Sequence, residues 1–121
     1  MSVAQAVQQL QASCQAQDAE AVFQMFAAEA TVSGEGGPTI VQGEEGLRDA
    51  IAHMLELTPA LSIRIHLERQ ITADCVVTWL HWVSPDPQGE TIAFRSLTTW
   101  RRKGLSWEIV ADFYGMGQFE G

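Results

Sequence analysis

Two side chains in the C-terminal half of the chain have the chemistry needed for proton transfer. Asp112 is a lone acid within Ile109–Tyr114, a segment that otherwise reads as a core strand. A buried carboxyl group has a raised pKa, so it can act as an acid or a base near neutral pH. His81 lies in another strand-like segment and is able to donate to a developing oxyanion, with Ser96 orienting the substrate. These residue types predict a catalytic site built on Asp112 and His81.

The orientation of Asp112 decides between this catalytic role and an ordinary surface role. Successive strand residues point to opposite faces. One predicted face carries Ser106, Glu108, Val110, Asp112 and Tyr114, and the other carries Trp107, Ile109, Ala111 and Phe113. This periodicity alone slightly favours a solvent-exposed Asp112. In that alternative, His81 is a core histidine bonded to a backbone carbonyl group.

The composition restricts the class of protein. The chain has 121 residues, 46% of them hydrophobic and 18% charged, with a net charge of -8. This predicts one folded domain, residues 1–121, whose acidic surface repels nucleic acids and anionic membranes. The absence of a signal-peptide pattern and of a membrane-spanning apolar run indicates a cytoplasmic protein. The cysteines, Cys14 and Cys75, are expected to be reduced, and the spacing of the histidines favours neither a metal site nor another cofactor site.

The elements that must position Asp112 and His81 follow from the hydrophobic pattern. It predicts a helix at 2–16, a short helix capped by Asp18, a strand at 30–33, a loop at 34–38 and a helix from Gly43 that ends before Pro59. Everything after Leu61 is typical of strands. The predicted fold is therefore α+β, with helices packed on one face of an antiparallel sheet.

The second of these C-terminal strands is apolar on both faces. Val77, Trp79 and Val83 alternate with Val76, Leu80 and Trp82. Because helices cover only one face of a sheet, the other face is expected to meet a second copy of the chain. We therefore expect a homodimer formed through the sheet.

The order of elements and three phrases resemble the nuclear transport factor 2-like superfamily, in particular its SnoaL-like and ketosteroid-isomerase-like branch. The phrases are Asp18–Phe26, Ala30–Val32 and Gln42–Glu45. The resemblance implies a cystatin-like cone, in which a curved antiparallel sheet is wrapped by three N-terminal helices. It also implies a small apolar ligand inside the cone and, in many members, dimerisation through the sheet.

The same resemblance implies which side chains face the interior of the cone. From the strands these are Trp79, His81, Phe94, Ser96, Thr98, Val110, Asp112 and Tyr114. From the helices, Leu10, Cys14, Phe26 and Ile51 close the cavity.

Asp112 matches the acid/base position of SnoaL-like polyketide cyclases, and it also matches the last-strand aspartate of limonene-epoxide-hydrolase-like members. The other epoxide-hydrolase positions hold Trp79 and His81. The ketosteroid-isomerase positions hold Leu10, Phe26, Gly34, Ile51 and Ser96, so those isomerase groups are missing.

We therefore expect a protein that binds a small, mostly apolar carbonyl compound. Its predicted activity is a cofactor-free isomerisation, cyclisation or dehydration that uses Asp112 with His81. The alternative is a non-catalytic ligand-binding or dimerisation module on the same fold.

Overall fold

The computed structural model describes the backbone of residues 1–121 and all side chains except those of residues 37–39. The helices are α1 (Val3–Gln15), α2 (Ala19–Gln24) and α3 (Glu44–Leu57). The strands are β1 (Phe26–Gly34), β2 (Gly37–Gln42), β3 (Ser62–Thr72), β4 (Cys75–Pro85), β5 (Thr91–Lys103) and β6 (Ser106–Met116). The predicted α+β class and helix-wrapped sheet are confirmed.

The helix starts have clear local causes. Ser2 and Gln5 form a capping box, because each side chain accepts a hydrogen bond from the other residue's backbone N–H. Asp18 caps α2, as predicted, and its carboxylate accepts a hydrogen bond from the N–H of Ala21 at 3.0 Å. No helix among the described residues is long and apolar enough to cross a lipid bilayer.

All six strands form one sheet in the order β2-β1-β6-β5-β4-β3. Four of the five strand pairs are antiparallel, as predicted, but β1 runs parallel to β6. The predicted loop at 34–38 was wrong. Glu35 and Gly36 alone form the turn between β1 and β2, and Gly36 reaches a φ of 90° that favours glycine.

The second helix is shorter than the sequence predicts. Phe26 was expected on α2, but it is the first residue of β1 and pairs with Ile109 of β6. The N–H of Ile109 donates to the carbonyl oxygen of Met25 at 2.8 Å, which draws the chain into the sheet directly after the helix. Pairing with β6 therefore overrides the local helical pattern.

The helices cover one face of the sheet, called the inner face here. Val7 and Leu10 of α1 pack in the same core cluster as Leu80, Trp82 and Trp100 from the sheet. The other face, called the outer face, carries no helix of the described chain. Sheet residues paired directly across neighbouring strands share a face, so the register determines which side chains point inward.

A β-bulge in β6 changes the side-chain orientation along this strand. Thr99 pairs with Ala111, but the next residue of β5, Trp100, pairs with Ile109. Val110 therefore has no partner in β5, and the alternation of faces is reset at this point. As a result, Ile109 and Asp112 both reach the inner face, although simple alternation places them on opposite faces.

Candidate functional site

A cavity of about 340 Å³ lies between the inner face and the helices. Its wall is mainly apolar. The polar residues on it are Ser33, His53, Thr58, Asp112 and Tyr114. Among the side chains that the structure describes, no lysine or arginine lines this cavity. The volume and lining suit a small, mostly apolar molecule that carries few polar groups.

Several residues predicted from the sequence lie on this wall. Asp112 and Tyr114 reach it from β6, because the bulge at Val110 turns them inward. The apolar residues on the wall that were predicted to contact substrate are Leu10, Phe26, Ile51 and Phe94. The structure thus places the predicted acid beside a cavity and not on the solvent-facing side of the sheet.

Four other predicted residues do not border the cavity. Ser96 and Thr98 share the inner face with Asp112 but are 1% and 0% exposed, so they lie behind the wall. Val110 packs instead against a smaller cluster formed by Ala27, Ala30 and Leu47. Cys14 also belongs to the core and not to the cavity wall, and burial raises the pKa of its thiol to about 12.

The predicted pairing of Asp112 with His81 was wrong. In the β4–β5 register, Leu80 and Trp82 pair with the inner residues Ser96 and Phe94. His81 alternates with them and therefore points to the outer face. Trp79 lies on the outer face for the same reason, beside a separate groove. Both faces of β4 are apolar, so its sequence pattern does not determine which face is inner.

His81 instead holds the end of the chain on the outer face. The backbone N–H of Phe119 donates to Nε2 of His81 at 3.0 Å, and the two rings are stacked at 5.7 Å. The His66 ring lies 4.7 Å from that of His81 and 5.8 Å from that of Phe119, so the three rings form one cluster. The Arg64 guanidinium lies beside Nδ1 of His81. Burial, and then the electrostatic influence of Arg64 and His66, lower the pKa of His81. The neutral form is therefore favoured, and this form accepts the hydrogen bond from Phe119.

Asp112 has an environment that suits a proton-transfer group. Desolvation by the surrounding protein raises the pKa of its carboxyl group to about 6, although the nearby hydroxyl groups of Thr98 and, more weakly, Ser96 act in the opposite direction. The residue retains partial accessibility because it borders the cavity. A carboxyl group with this pKa changes protonation state close to neutral pH and can both accept and return a proton.

A chain of buried hydrogen bonds reaches Asp112 from behind the wall. Nε1 of Trp82 donates to Oγ of Ser96 at 2.8 Å, and this hydroxyl lies 2.9 Å from Oγ1 of Thr98. The Thr98 hydroxyl then donates to Oδ1 of Asp112. The second carboxylate oxygen, Oδ2, makes no hydrogen bond within the described part of the chain.

Tyr114 borders the cavity two residues beyond Asp112. Its ring lies against the backbone of Gly34, where an added Cβ would come within 2.4 Å of three ring carbons. Gly34 is therefore required for this ring position because no side chain fits there. The phenol hydroxyl of Tyr114 makes no hydrogen bond among the described residues and so remains able to meet a ligand.

His53 and Trp82 are among the wall residues that were missed as site residues in the sequence. His53 follows the wall residue Ala50 by three positions on α3, which puts both on one side of the helix, so helical spacing is a usable signal for it. Trp82 lines the cavity from β4, where the sequence pattern was ambiguous. Across the described side chains, no group of three His, Cys, Asp or Glu residues is arranged to hold a metal ion.

The chain matches the family of SnoaL-like domains over residues 7–109. It belongs to this family. The matched segment of this SnoaL-like protein ends just before Asp112, so the match supports the fold and not the role of that residue. No curated protein matches the chain by sequence.

Solved structures with the same fold come from several bacteria. A ketosteroid isomerase-like protein from Erwinia carotovora atroseptica has a TM-score of 0.75 at 17% identity, covering 93% of this chain and 92% of the other. An NTF2-like (nuclear transport factor 2-like) protein from Streptomyces avermitilis, provisionally assigned as a dehydratase, has a TM-score of 0.72 at 14% identity, covering 95% and 93%.

A third structure, from Xanthomonas campestris, is provisionally assigned as a calcium/calmodulin-dependent protein kinase II association domain. Its TM-score is 0.79 at 13% identity, covering 95% of this chain and 85% of the other. At such identities these likenesses establish the fold of the SnoaL-like protein alone.

Proposed function

We propose that this SnoaL-like protein binds a small, mostly apolar carbonyl compound and catalyses a cofactor-free isomerisation, cyclisation or dehydration. The observation that carries this proposal is the position of Asp112, a desolvated carboxyl group on the wall of an apolar cavity. The pKa of about 6 leaves roughly nine in ten of these groups ionised at pH 7. Asp112 is thus a base in most molecules, and its conjugate acid is strong enough to return the proton.

Asp112 and Tyr114 together suit a carbonyl compound with an acidic C–H bond. Asp112 removes the proton next to the carbonyl group, and the free Tyr114 hydroxyl donates to the oxygen on which negative charge develops. Alternate residues on one face of a strand are about 6–7 Å apart at the backbone. This spacing is compatible with contacts to both ends of an O=C–C–H unit. Tyr114 thereby takes the donor role that the sequence assigned to His81.

The charge of the cavity restricts the substrate. The described wall contains no cationic lysine or arginine, and Asp112 is mostly ionised at neutral pH. A carboxylate or phosphate in this cavity would lack a counter-charge and would be repelled by Asp112. The proposed substrate is therefore neutral at the end that enters the cavity.

Two measurements test this proposal. Carboxyl-group NMR titration, with Asp112→Asn used for assignment, is expected to give a pKa near 6 for Asp112. Native mass spectrometry of protein purified from lysate is expected to detect a bound small neutral molecule. An ordinary aspartate pKa together with no retained ligand would contradict both catalysis and ligand carriage.

A second candidate function is a non-catalytic dimerisation or binding module, and a feature of the outer face favours it. Leu67, Trp79, Leu97 and Phe113 are successive partners across β3, β4, β5 and β6, and they form a row called the outer row here. Phe113 is 56% exposed. Exposed apolar rows of this kind commonly bind another surface.

We propose that the outer row of one protomer packs on that of a second protomer, since a two-fold dimer requires a self-complementary patch. The name of the Xanthomonas protein, an association domain, agrees with an assembly role for this fold. Analytical ultracentrifugation at micromolar concentration is expected to give a dimer, and a monomer would contradict this proposal.

A further inference from the structure

The carboxyl group of Asp112 has two oxygens with different surroundings. Oδ1 accepts a hydrogen bond from Thr98, whereas Oδ2 has no partner among the described residues. Asp112 itself borders the cavity, and Thr98 is 0% exposed behind it. The two carboxylate oxygens of Asp112 are therefore not equivalent, because only Oδ1 has a hydrogen-bond donor from the described part of the protein.

The direction of the hydrogen bonds follows from the donors that are present. An indole N–H only donates, so Oγ of Ser96 must accept from Trp82. The single proton of Ser96 is then available for Oγ1 of Thr98, and the single proton of Thr98 for Asp112. In this direction every donor in the chain has an acceptor.

The reverse direction leaves a donor without a partner. If Asp112 carried its proton on Oδ1 and donated it to Thr98, Thr98 would have to donate to Ser96. Ser96 would then accept twice, and its own proton would have no acceptor of hydrogen-bond geometry among the described residues, since the Ser96 hydroxyl makes such bonds only with Trp82 and Thr98. Ser96 is 1% exposed, so water does not readily supply one, and a buried unpaired donor is costly. The arrangement therefore favours Oδ1 as an acceptor in both protonation states of Asp112.

We propose that Trp82, Ser96 and Thr98 are positioning residues that form a one-way hydrogen-bond chain, which holds Oδ1 of Asp112 as an acceptor and leaves Oδ2 to carry the reacting proton. This inference rests on the proposed function, because it assigns a reacting atom to the acid/base group. Its chemical consequence is that substrate protons are exchanged at one fixed oxygen. The strand register fixes this atom, since Thr98 and Asp112 are paired residues of β5 and β6.

The structure contains a matched control for this chain. Nε1 of Trp100 donates to Oγ1 of Thr78 at 2.9 Å, and the Thr78 hydroxyl donates to the carbonyl oxygen of Thr98 at 3.3 Å. Thr78 and Thr98 are paired across β4 and β5, and both are fully buried. The Thr78 hydroxyl thus resembles that of Thr98, because both are buried and both belong to a hydrogen-bond chain that starts at a tryptophan N–H. The Thr78 hydroxyl, however, donates to a backbone carbonyl oxygen and not to Asp112.

The experiment compares the carboxyl pKa of Asp112 in the two hydroxyl-deletion variants. Thr98→Val is expected to raise this pKa by about one further pH unit, the size typical of losing one hydrogen bond to a charged group. Thr78→Val is expected to leave it unchanged, Ser96→Ala to raise it by less, and Thr98→Ser to restore it. If Thr98→Val does not fold, Ser96→Ala and Thr98→Ser provide the same comparison.

The outcomes separate this inference from the proposed function. A raised Asp112 pKa in the unmodified chain that responds equally to Thr98→Val and Thr78→Val, or to neither, would overturn the one-way chain alone. In the fallback comparison, an unchanged pKa in Ser96→Ala would overturn it in the same way. An ordinary Asp112 pKa in the unmodified chain would instead contradict the proposed acid/base role itself.

Discussion

The ring of Tyr114 occupies the space that a side chain at position 34 would need. An added Cβ at Gly34 would lie 2.3–2.4 Å from three ring carbons of Tyr114, well inside van der Waals contact. The glycine of β1 and the tyrosine of β6 are also partners in the parallel pair of strands. This packing sets the position of the one phenol hydroxyl on the cavity wall.

Gly34→Ala is therefore expected to displace the Tyr114 ring and weaken ligand binding at least about tenfold, as expected for losing one well-placed hydrogen bond in a binding site. Tyr114 is the only tyrosine, so selective ¹³C labelling gives one ring signal that reports this movement directly. Gly46→Ala on α3 is the control, because a Cβ there meets only Val41 at 3.4 Å. An unmoved Tyr114 signal in Gly34→Ala would contradict the packing argument.

Asp112 is expected to reduce stability at neutral pH. Its pKa is raised from 3.8 to about 6 in the folded state, so its contribution to stability is present below pH 3.8 and is lost as the pH rises through 6. Asp112→Asn should then be more stable than the unmodified chain at pH 7.5, by up to about 3 kcal/mol. Urea unfolding at pH 4 and at pH 7.5 measures this difference.

For Asp112→Asn, the gain should be small at pH 4, where the carboxyl group is largely protonated in the folded state. Glu56→Gln, on the exposed surface of α3, controls for the loss of one formal negative charge. A gain that is equal at both pH values would show that desolvation of the Asp112 carboxylate is not its cause.

Acidification is expected to release the C-terminal segment from the outer face. The pKa of His81 is lowered in the fold, so its contribution to stability is present above pH 6.5 and is lost as the pH falls through the folded-state value. A protonated His81 has no acceptor for the Phe119 N–H and adds a positive charge beside Arg64, Arg95 and His66. Faster hydrogen exchange of the Phe119 amide, corrected for intrinsic pH dependence, is the expected result.

The same hydrogen-exchange measurement on His81→Phe distinguishes protonation of His81 from a general destabilisation of the fold at low pH. This variant retains an aromatic ring for stacking but lacks the acceptor, so it should show a released Phe119 amide at both pH values. His53→Phe, on the cavity wall, provides the matched histidine control and should retain the pH dependence. If the Phe119 amide exchanged with the same pH dependence in His81→Phe and in His53→Phe, His81 would not be the group whose protonation releases it.

Leu97→Glu is expected to convert the proposed dimer to a monomer. Leu97 lies at the centre of the outer row between Trp79 and Phe113, and burial of an unpaired carboxylate there is unfavourable. A loss of dimer affinity of at least about 30-fold is expected, since removing a central contact typically costs about 2 kcal/mol or more. Leu105→Glu, at an 88% exposed turn, is the control. Sedimentation equilibrium of both variants measures the effect.

Helices α1 and α3 were predictable because each has one continuous apolar stripe. The buried residues of α1 have the predicted spacing, and the cap at Asp18 was visible in the sequence. In strands, a shift of one residue reverses the face. The inward placement of His81 and Trp79 failed for that reason, because β4 is apolar on both faces. The short strand β2 was missed since glycine and proline dominate its start.

The orientation of Asp112 depends on a single irregularity that sequence periodicity does not reveal. Because Val110 is unpaired, the catalytic candidate and the core residue Ile109 share a face although they are three positions apart. If Val110 were deleted, the strand would become regular and the two residues, now two positions apart, would still share that face. A relative that lacks the residue equivalent to Val110 can therefore keep an aspartate at the same place on the inner face. In its sequence, this aspartate follows the residue equivalent to Ile109 by two positions and not by three. A sequence alignment without a gap at Val110 would match Asp112 to a residue of the relative that points to the outer face. The equivalent aspartate of the relative would then be overlooked.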